Sequence, residues 1–183
     1  MSEDADSSRP LSPYAASKKA AETLLHSYHH LHGIDAVALR YFTVYGPAGR
    51  PDMSVFKFIR SIAEDEPITV YGDGAQQRDF TYVDDVARGT VAALGVTGYE
   101  TINLGYGSPV VLNDVIGLIE EAVGKPAIIE YQERHPADPL MTWADTSRAR
   151  QVLGWTPTVG IEEGILRTVE WYMANRDRAR LLT

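Results

Sequence analysis

Residues 12–45, SPYAASKKAAETLLHSYHHLHGIDAVALRYFTVY, place a predicted helix directly before a predicted strand. Ser12 and Pro13 are typical of an N-cap and first helical residue, and Gly33 predicts the end of the helix. Residues 36–46, AVALRYFTVYG, are rich in β-branched and aromatic side chains with apolar residues on both faces, which predicts one buried parallel strand. The stretch therefore indicates an α/β unit.

The rest of the chain continues this alternation of strands and helices, which is typical of an α/β protein. We expect the polar first ten residues to be loose and GPAGRPDM (46–53) to be a loop. RDFTYVDDVARGTVAALGV (78–96) predicts a strand followed by a helix, with Asp84 or Asp85 near the helix start. Further predicted strands are PITVYGDG (67–74), ETINLG (100–105) and AIIEY (127–131), and further helices are SVFKFIRSIAED (54–65), VLNDVIGLIEEAVG (111–124), DTSRARQVLG (145–154) and GIEEGILRTVEWYMAN (160–175).

The composition is that of a globular protein, with 183 residues, 44% hydrophobic and 23% charged. A net charge of −8 and a pI near 5.1 argue against a nucleic-acid partner or an anionic membrane surface. No apolar run reaches the length of a membrane span, and MSEDADSSRP is unlike a signal peptide. The absence of cysteine excludes disulfides and thiol chemistry and fits a cytoplasmic protein.

Tyr14 and Lys18 lie four residues apart in the first predicted helix, so both can project from one face. An ammonium beside a phenol favours the phenolate, which can remove a proton from a substrate hydroxyl. The structural alternative is that Tyr14 packs while Lys18 is solvated, and the chain contains 10 tyrosines. The pair alone leaves both interpretations open.

SPYAASKKAAE resembles the active-site helix of the extended short-chain dehydrogenase/reductase family, which includes NAD-dependent nucleotide-sugar epimerases and dehydratases. LRYFTVYGP, RPDM, ITVYGDGAQQRDFTYVDDVARG, INLG and LGWTP recur in that family in this order, so the resemblance covers nearly the whole chain. It implies the C-terminal part of a Rossmann-type doubly wound parallel sheet plus a small α/β substrate-binding domain. Residues 1–45 with 79–104 would form the partial NAD-binding elements, and residues 46–78 with 105–183 the substrate-binding domain.

The resemblance implies that Tyr14 is the catalytic acid–base residue and that Lys18 assists it and binds the nicotinamide ribose. Tyr41, Phe42 and Val44, at the end of the following strand, would line the nicotinamide and sugar pocket. An ordinary strand core would show the same pattern at these three positions. NAD is the cofactor implied for the intact enzyme.

Thr43 and Arg50 bear on the identity of the sugar. Many epimerases of the family have Asn where RYFTVYGP has Thr43, and with GRPDM (49–53) the pattern resembles the UDP-glucuronate 4-epimerase branch. A uronic acid carries a carboxylate, to which Arg50 could donate two hydrogen bonds and Thr43 one. The alternative for Arg50 is a solvated loop residue.

Other matching residues would bind the UDP part of the substrate. Arg78 resembles the diphosphate-binding arginine of the family, and Asp79 beside it is expected to anchor the loop. Val70 and Tyr71 would lie beside the uracil, with an ordinary hydrophobic strand as the alternative.

ERHPADP, residues 133–139, departs from the Arg-Pro-Gly-Asp pattern that is frequent in the family. Asp138 aligns with the aspartate that binds the uridine ribose, which puts His135 at the position of a second diphosphate-binding arginine. Arg134 precedes that position by one residue and could reach the diphosphate after a backbone shift. The second diphosphate contact is therefore left open.

A dinucleotide site of this kind needs a glycine-rich turn before a helix N-terminus. None of the 15 glycines forms that motif, so we expect the C-terminal half of an NAD-dependent nucleotide-sugar 4-epimerase, inactive without its other half. The expected reaction interconverts UDP-glucuronate and UDP-galacturonate through a 4-keto intermediate.

The alternatives are a UDP-glucose 4-epimerase, a nucleotide-sugar dehydratase relative, or a UDP-sugar-binding or assembly module without catalysis. The expected partner is a UDP-sugar, and an incomplete sheet would expose edges and apolar faces that favour a homodimer or another association. His26 and His30 share a helix face, but no third ligand is indicated, so no metal site is expected.

Overall fold

The computed structural model describes residues 1–134 and 138–182 and shows alternating strands and helices, which confirms the α/β prediction. The helices are α1 (Pro13–His32), α2 (Ser54–Ala63), α3 (Val83–Ala92), α4 (Leu112–Val123), α5 (Ser147–Leu153), α6 (Ile161–Ala174) and α7 (Arg176–Ala179), with a 3-10 turn at Ala93–Gly95. The strands are β1 (Ala36–Tyr41), β2 (Thr43–Tyr45), β3 (Pro67–Tyr71), β4 (Gln77–Arg78), β5 (Phe80–Tyr82), β6 (Tyr99–Leu104), β7 (Val110–Val111), β8 (Ile128–Gln132) and β9 (Met141–Thr142).

Most strand pairs are parallel, as the alternation of strands and helices predicts. β1 pairs with β6, β2 with β5, and β3 with β8, all in parallel. β4 lies between β7, to which it is antiparallel, and β9, to which it is parallel. Because β4, β7 and β9 are two residues long, their sequences carry too little periodicity to be recognised.

The run over residues 36–46 forms two strands instead of one. The Phe42 N–H donates to the carbonyl of Leu104 (3.3 Å), whereas the next N–H, of Thr43, donates to the carbonyl of Asp79 (2.9 Å). The chain therefore leaves β6 and joins β5 at this point. The prediction that this run is buried is also wrong for β1, where Ala38 is the one buried residue. α1 lies against β1, but none of the α1 side chains is buried there.

α1 begins and ends where the sequence predicts. The Ser12 hydroxyl oxygen accepts a hydrogen bond from the Ala15 N–H (3.1 Å), and Gly33 ends the helix in the left-handed conformation (φ 64°). None of its residues is buried, and Leu24 and Tyr28 remain 60% and 57% exposed. Caps and local propensity define this helix, and within the described structure it leaves an apolar face open.

The larger group of buried hydrophobic residues joins α2, α4 and α6 to β3 and β5. Phe56 and Ile59 of α2 lie at its centre, 4% and 1% exposed. A smaller group joins Ile102 and Leu104 of β6 to Trp155, which follows α5. Trp155 belongs to the segment assigned to the substrate-binding domain, and the division of the chain into 1–45 with 79–104 and 46–78 with 105–183 remains a proposal.

Residues 1–4 are held against β6 and α5. The Glu3 carboxylate accepts a hydrogen bond from the Asn103 N–H (2.8 Å), and Arg148 donates to both carboxylate oxygens of Asp4 (2.8 and 2.7 Å). The expectation that the first ten residues are loose is therefore wrong for residues 1–4. No helix of the described residues is long and apolar enough to cross a membrane.

Asp85 is a fully buried carboxylate at the start of α3, as the position of the acidic pair predicts. It accepts hydrogen bonds from the N–H groups of Thr158 (2.8 Å) and Val159 (2.9 Å) and from the Arg88 guanidinium. Burial by itself raises the pKa of a carboxyl, but these hydrogen bonds outweigh it and hold the pKa of Asp85 below its ordinary value. Asp85 therefore ties α3 to the segment that precedes α6.

We expect Asp85→Ala to lower the free energy of unfolding by about 3 kcal/mol, because it leaves buried N–H donors without an acceptor. Asp84→Ala, at the exposed neighbouring position, is the control and should cost less than about 1 kcal/mol. Urea denaturation at pH 7 measures both variants. Equal losses would contradict the anchoring role of Asp85.

The same interaction predicts a pH dependence. The pKa of Asp85 is lower in the folded state, so its contribution is complete above the unfolded value of about 4 and is lost as pH falls through the folded value. The stability difference between wild type and Asp85→Ala should therefore shrink below about pH 4.

Candidate functional site

Tyr14 and Lys18 lie on one face of the first turns of α1, as their spacing predicts. The Lys18 ammonium is 5.4 Å from the centroid of the Tyr14 ring, and the Tyr14 side chain is exposed, at 73% of its full area. A phenol in this position is open to a substrate and has a cation beside it. The geometry suits an acid–base pair, whose catalytic role remains a prediction.

The three residues predicted to line the nicotinamide and sugar pocket do not share one environment. Tyr41 is 50% exposed, and its hydroxyl lies 3.1 Å from the Thr90 hydroxyl on α3. Phe42 and Val44 are half-buried at the point where the chain passes from β6 to β5. Their cofactor-binding role remains a proposal, and Tyr41 is engaged with α3 in the structure.

Thr43 and Arg50 line the same small pocket, which forms between β2 and the start of α2. The Arg50 guanidinium is exposed and donates to both carboxylate oxygens of Asp52. Hydrogen bonding to Asp52 is the main cause that raises the pKa of Arg50, and Tyr14 adds a smaller effect in the same direction. The structure thus brings Thr43 of β2 and Arg50 of the following loop to one pocket.

A second pocket, lined by α2, β3 and β4, contains three of the residues predicted to bind UDP: Tyr71, Arg78 and Asp138. The Arg78 guanidinium donates to the Asp138 carboxylate (2.6 Å). Arg134 donates to the backbone carbonyl of Asp138 (2.6 Å), which places the proposed second diphosphate ligand beside the pocket. His135, the alternative occupant of that family position, lies outside the described residues.

Val70 and Tyr71 lie in different environments, because successive strand residues point to opposite faces of the sheet. Tyr71 is 53% exposed and lines the pocket, whereas Val70 is fully buried in the core. The Val70 side chain thus packs in the core, which is the alternative given by its hydrophobic strand, and the position of Val70 beside the uracil remains a prediction. The sequence alone could not tell which face of β3 meets the pocket.

Asp79 anchors neighbouring loops, as expected. Its carboxylate is fully buried and accepts hydrogen bonds from the N–H groups of Tyr106 (2.7 Å), Gly107 (2.9 Å) and Ala144 (2.8 Å). A β-carbon added at Gly105 would lie 2.4 Å from the Ala144 β-carbon and 2.8 Å from the Asp79 carboxylate. The close approach of these segments therefore requires glycine at position 105.

Two charged residues that sequence reasoning did not assign also line the second pocket, Asp52 and Lys57. Asp52 lies in the RPDM stretch, and Lys57 follows Ser54 by three residues on α2. Neither pattern is specific enough to mark these residues as ligand-binding. Among the described residues there is no group of three or more His, Cys, Asp or Glu side chains suited to a metal ion. The ring of His26 instead packs edge-on against Tyr99 (5.0 Å between centroids).

The parallel strand pairs and the helix that carries Tyr14 and Lys18 agree with a match over residues 1–105 to the NAD dependent epimerase/dehydratase family. The chain belongs to this family. A UDP-glucuronate 4-epimerase from Thermodesulfobacterium geofontis is 56% identical over 174 residues, which cover 94% of this chain and 54% of that protein. The chain thus spans about half the length of that curated relative.

Two solved structures are also similar. MoeE5 in complex with UDP-glucuronic acid and NAD matches with a TM-score of 0.91 and 40% identity, covering 96% of this chain and 60% of that one. A UDP-glucuronic acid 4-epimerase from Bacillus cereus, in complex with UDP-glucuronic acid and NAD, matches with a TM-score of 0.87 and 42% identity, covering 91% and 54%. The expected Rossmann-type α/β architecture is confirmed by these matches.

We expect Gly105→Ala to lower the free energy of unfolding by about 2 kcal/mol, because its β-carbon would displace Ala144 and the Asp79 carboxylate. Gly117→Ala, in the interior of α4 and with open space around its β-carbon, is the control. It should stabilise the protein by about 0.5 to 1 kcal/mol, since alanine favours a helix over glycine. Thermal and urea unfolding measure both, and a neutral Gly105→Ala would contradict the close packing.

Proposed function

We propose that this chain is the substrate-binding and acid–base part of an NAD-dependent epimerase that interconverts UDP-glucuronate and UDP-galacturonate through a 4-keto intermediate. The observation that carries this proposal is the adjacency of the two pockets. Arg50 and Thr43 line the first pocket. Asp52, the ion-pair partner of Arg50, lines the second pocket, which also contains Arg78. We therefore place a sugar carboxylate at the exposed Arg50 guanidinium, beside a nucleoside diphosphate at Arg78.

The proposed substrate lies with its uronate at Thr43 and Arg50. A guanidinium can donate two parallel hydrogen bonds to a carboxylate, as Arg50 does to Asp52 in the structure. The substrate carboxylate would take the place of the Asp52 carboxylate. Holding that group at a fixed angle opposes loss of CO₂ from the β-keto acid formed during the reaction.

The UDP part would occupy the second pocket. Arg78 would bind the diphosphate, Asp138 the ribose hydroxyls, and Tyr71 would pack on the uracil with its exposed ring. Arg78 already stands against Asp138, so binding would replace this ion pair with contacts to the ligand. Arg134 would add to the diphosphate contacts after a small backbone shift.

Tyr14 would take the proton from the C4 hydroxyl and return it after the keto group has turned. Lys18 lies one helical turn away and would stabilise the phenolate. Bound NAD would supply the reversible hydride transfer at C4. Tyr14 and Lys18 are exposed and suit the nicotinamide-ribose end of that cofactor, whereas no glycine-rich turn for its pyrophosphate occurs in the sequence. We infer that the glycine-rich turn would come from the part of the longer relatives that this chain does not match.

A second candidate is the epimerisation of a neutral sugar such as UDP-glucose. The observation that favours it is the Arg50–Asp52 ion pair, because Asp52 already neutralises the cation assigned to the uronate. Association with a second copy or with another polypeptide is a further proposal. The apolar face of α1, with Leu24 and Tyr28 exposed, would supply that contact.

Turnover tests the proposal when the part of the Thermodesulfobacterium geofontis relative that this chain does not match is fused to it. We expect the fusion to convert UDP-glucuronate to UDP-galacturonate. Tyr14→Phe should lower kcat by about 100-fold or more, because the proton acceptor is lost. Conversion of UDP-glucose instead would support the second candidate, and a folded fusion that binds both ligands without turnover would contradict the enzymatic role.

Arg50→Ala separates the two substrates by binding alone. We expect the Kd for UDP-glucuronate to rise about tenfold, since a charge-assisted hydrogen-bonded pair is lost. The Kd for UDP-glucose should change less than about twofold, because a neutral sugar makes no ion pair with Arg50. Calorimetry on this chain measures both, with Arg180→Ala as an exposed-arginine control. Equal losses for the two sugars would contradict the uronate assignment.

A further inference from the structure

α2 presents two polar side chains to the pocket that contains Arg78. Ser54 and Lys57 are three residues apart, so they share a face of the helix, and both line this pocket. The opposite face of α2 is packed in the core through Phe56 and Ile59. Lys57 is therefore an exposed side chain on a helix whose opposite face is packed in the core.

The other cations of this pocket are already engaged. The Arg78 side chain is 18% exposed and its guanidinium lies 2.6 Å from the Asp138 carboxylate, so much of its charge is offset. Arg134 donates to the Asp138 carbonyl. A diphosphate in a nucleotide sugar carries two negative charges, which one offset arginine does not balance.

Lys57 lies in the same pocket and, in the described part of the chain, forms no ion pair. Asp52 lines this pocket together with Lys57. Hydrogen bonding from Arg50 is the main cause that lowers the pKa of Asp52, and the Lys57 ammonium adds to this shift. Asp52 and Arg50 mark the sugar end of the proposed site, while Asp138 marks the ribose end. Ser54, one turn before Lys57, lines both this pocket and the pocket of Arg50, so this part of α2 lies at the proposed sugar end.

We propose that Lys57 is a second phosphate-binding cation and that it binds the β-phosphate, the one attached to the sugar. This inference rests on the proposed function, because it takes a nucleoside diphosphate as the occupant of the pocket. Ser54 would donate its hydroxyl to the same phosphate. Lys57 would then distinguish a nucleoside diphosphate from a monophosphate, which has no phosphate at that end.

Calorimetric titration of the 183-residue chain with UDP and with UMP tests this role. Lys57→Met should raise the Kd for UDP about tenfold and the Kd for UMP less than twofold, while Lys57→Arg should retain most of the UDP affinity. Lys19→Met removes the same charge outside this pocket and should leave both Kd values within twofold. The loss for Lys57→Met should also shrink as salt is raised.

An unchanged UDP affinity in Lys57→Met, an equal loss for UDP and UMP, or an equal effect of Lys19→Met would overturn the assignment of Lys57. In each of those cases the proposed function would still be supported if the wild-type chain binds UDP. A wild-type chain that is folded by circular dichroism and binds neither nucleotide would overturn both.

Discussion

The buried carboxylate of Asp79 is the interaction on which the site depends. It accepts N–H groups from the loop after β6 and from the segment after β9, while its own backbone carbonyl accepts the Thr43 N–H. A carboxylate with three N–H donors can be buried at low cost because its charge is hydrogen-bonded throughout. Asp79 thereby ties β2 and β5 to the loop after β6 and to the segment after β9, and it directly follows Arg78, which lines the second pocket.

The loop over residues 46–53 couples the two pockets. Arg50 faces one and Asp52 the other, and their ion pair crosses the boundary between them. Arg78 and Asp138 form a similar pair at the nucleotide end. Both pairs can exchange an internal carboxylate for an anionic or hydroxyl group of a ligand. The Arg50–Asp52 pair is exposed, and exposed ion pairs contribute little to stability, so its exchange would cost the protein little.

The sequence predicts local features well and long-range ones poorly. α1 follows from Ser12 and Gly33, whose capping roles need no tertiary contact. The break at Phe42 and the two-residue strands depend on hydrogen bonds between distant segments, which no local period encodes. Motif order indicates the roles of Arg78 and Asp138, but only the fold shows that Val70 faces the core and Tyr71 the pocket.

We propose that this chain carries a pre-formed site for a UDP-uronate. Thermal unfolding of the chain with UDP-glucuronate, UDP-glucose or NAD, each added separately, tests it most directly, because a ligand that binds the folded state raises the midpoint. We expect one cooperative transition, whose midpoint rises by about 5 °C at saturating UDP-glucuronate. The midpoint should rise less with UDP-glucose and should not change with NAD. A cooperative transition that neither UDP-sugar moves would contradict it.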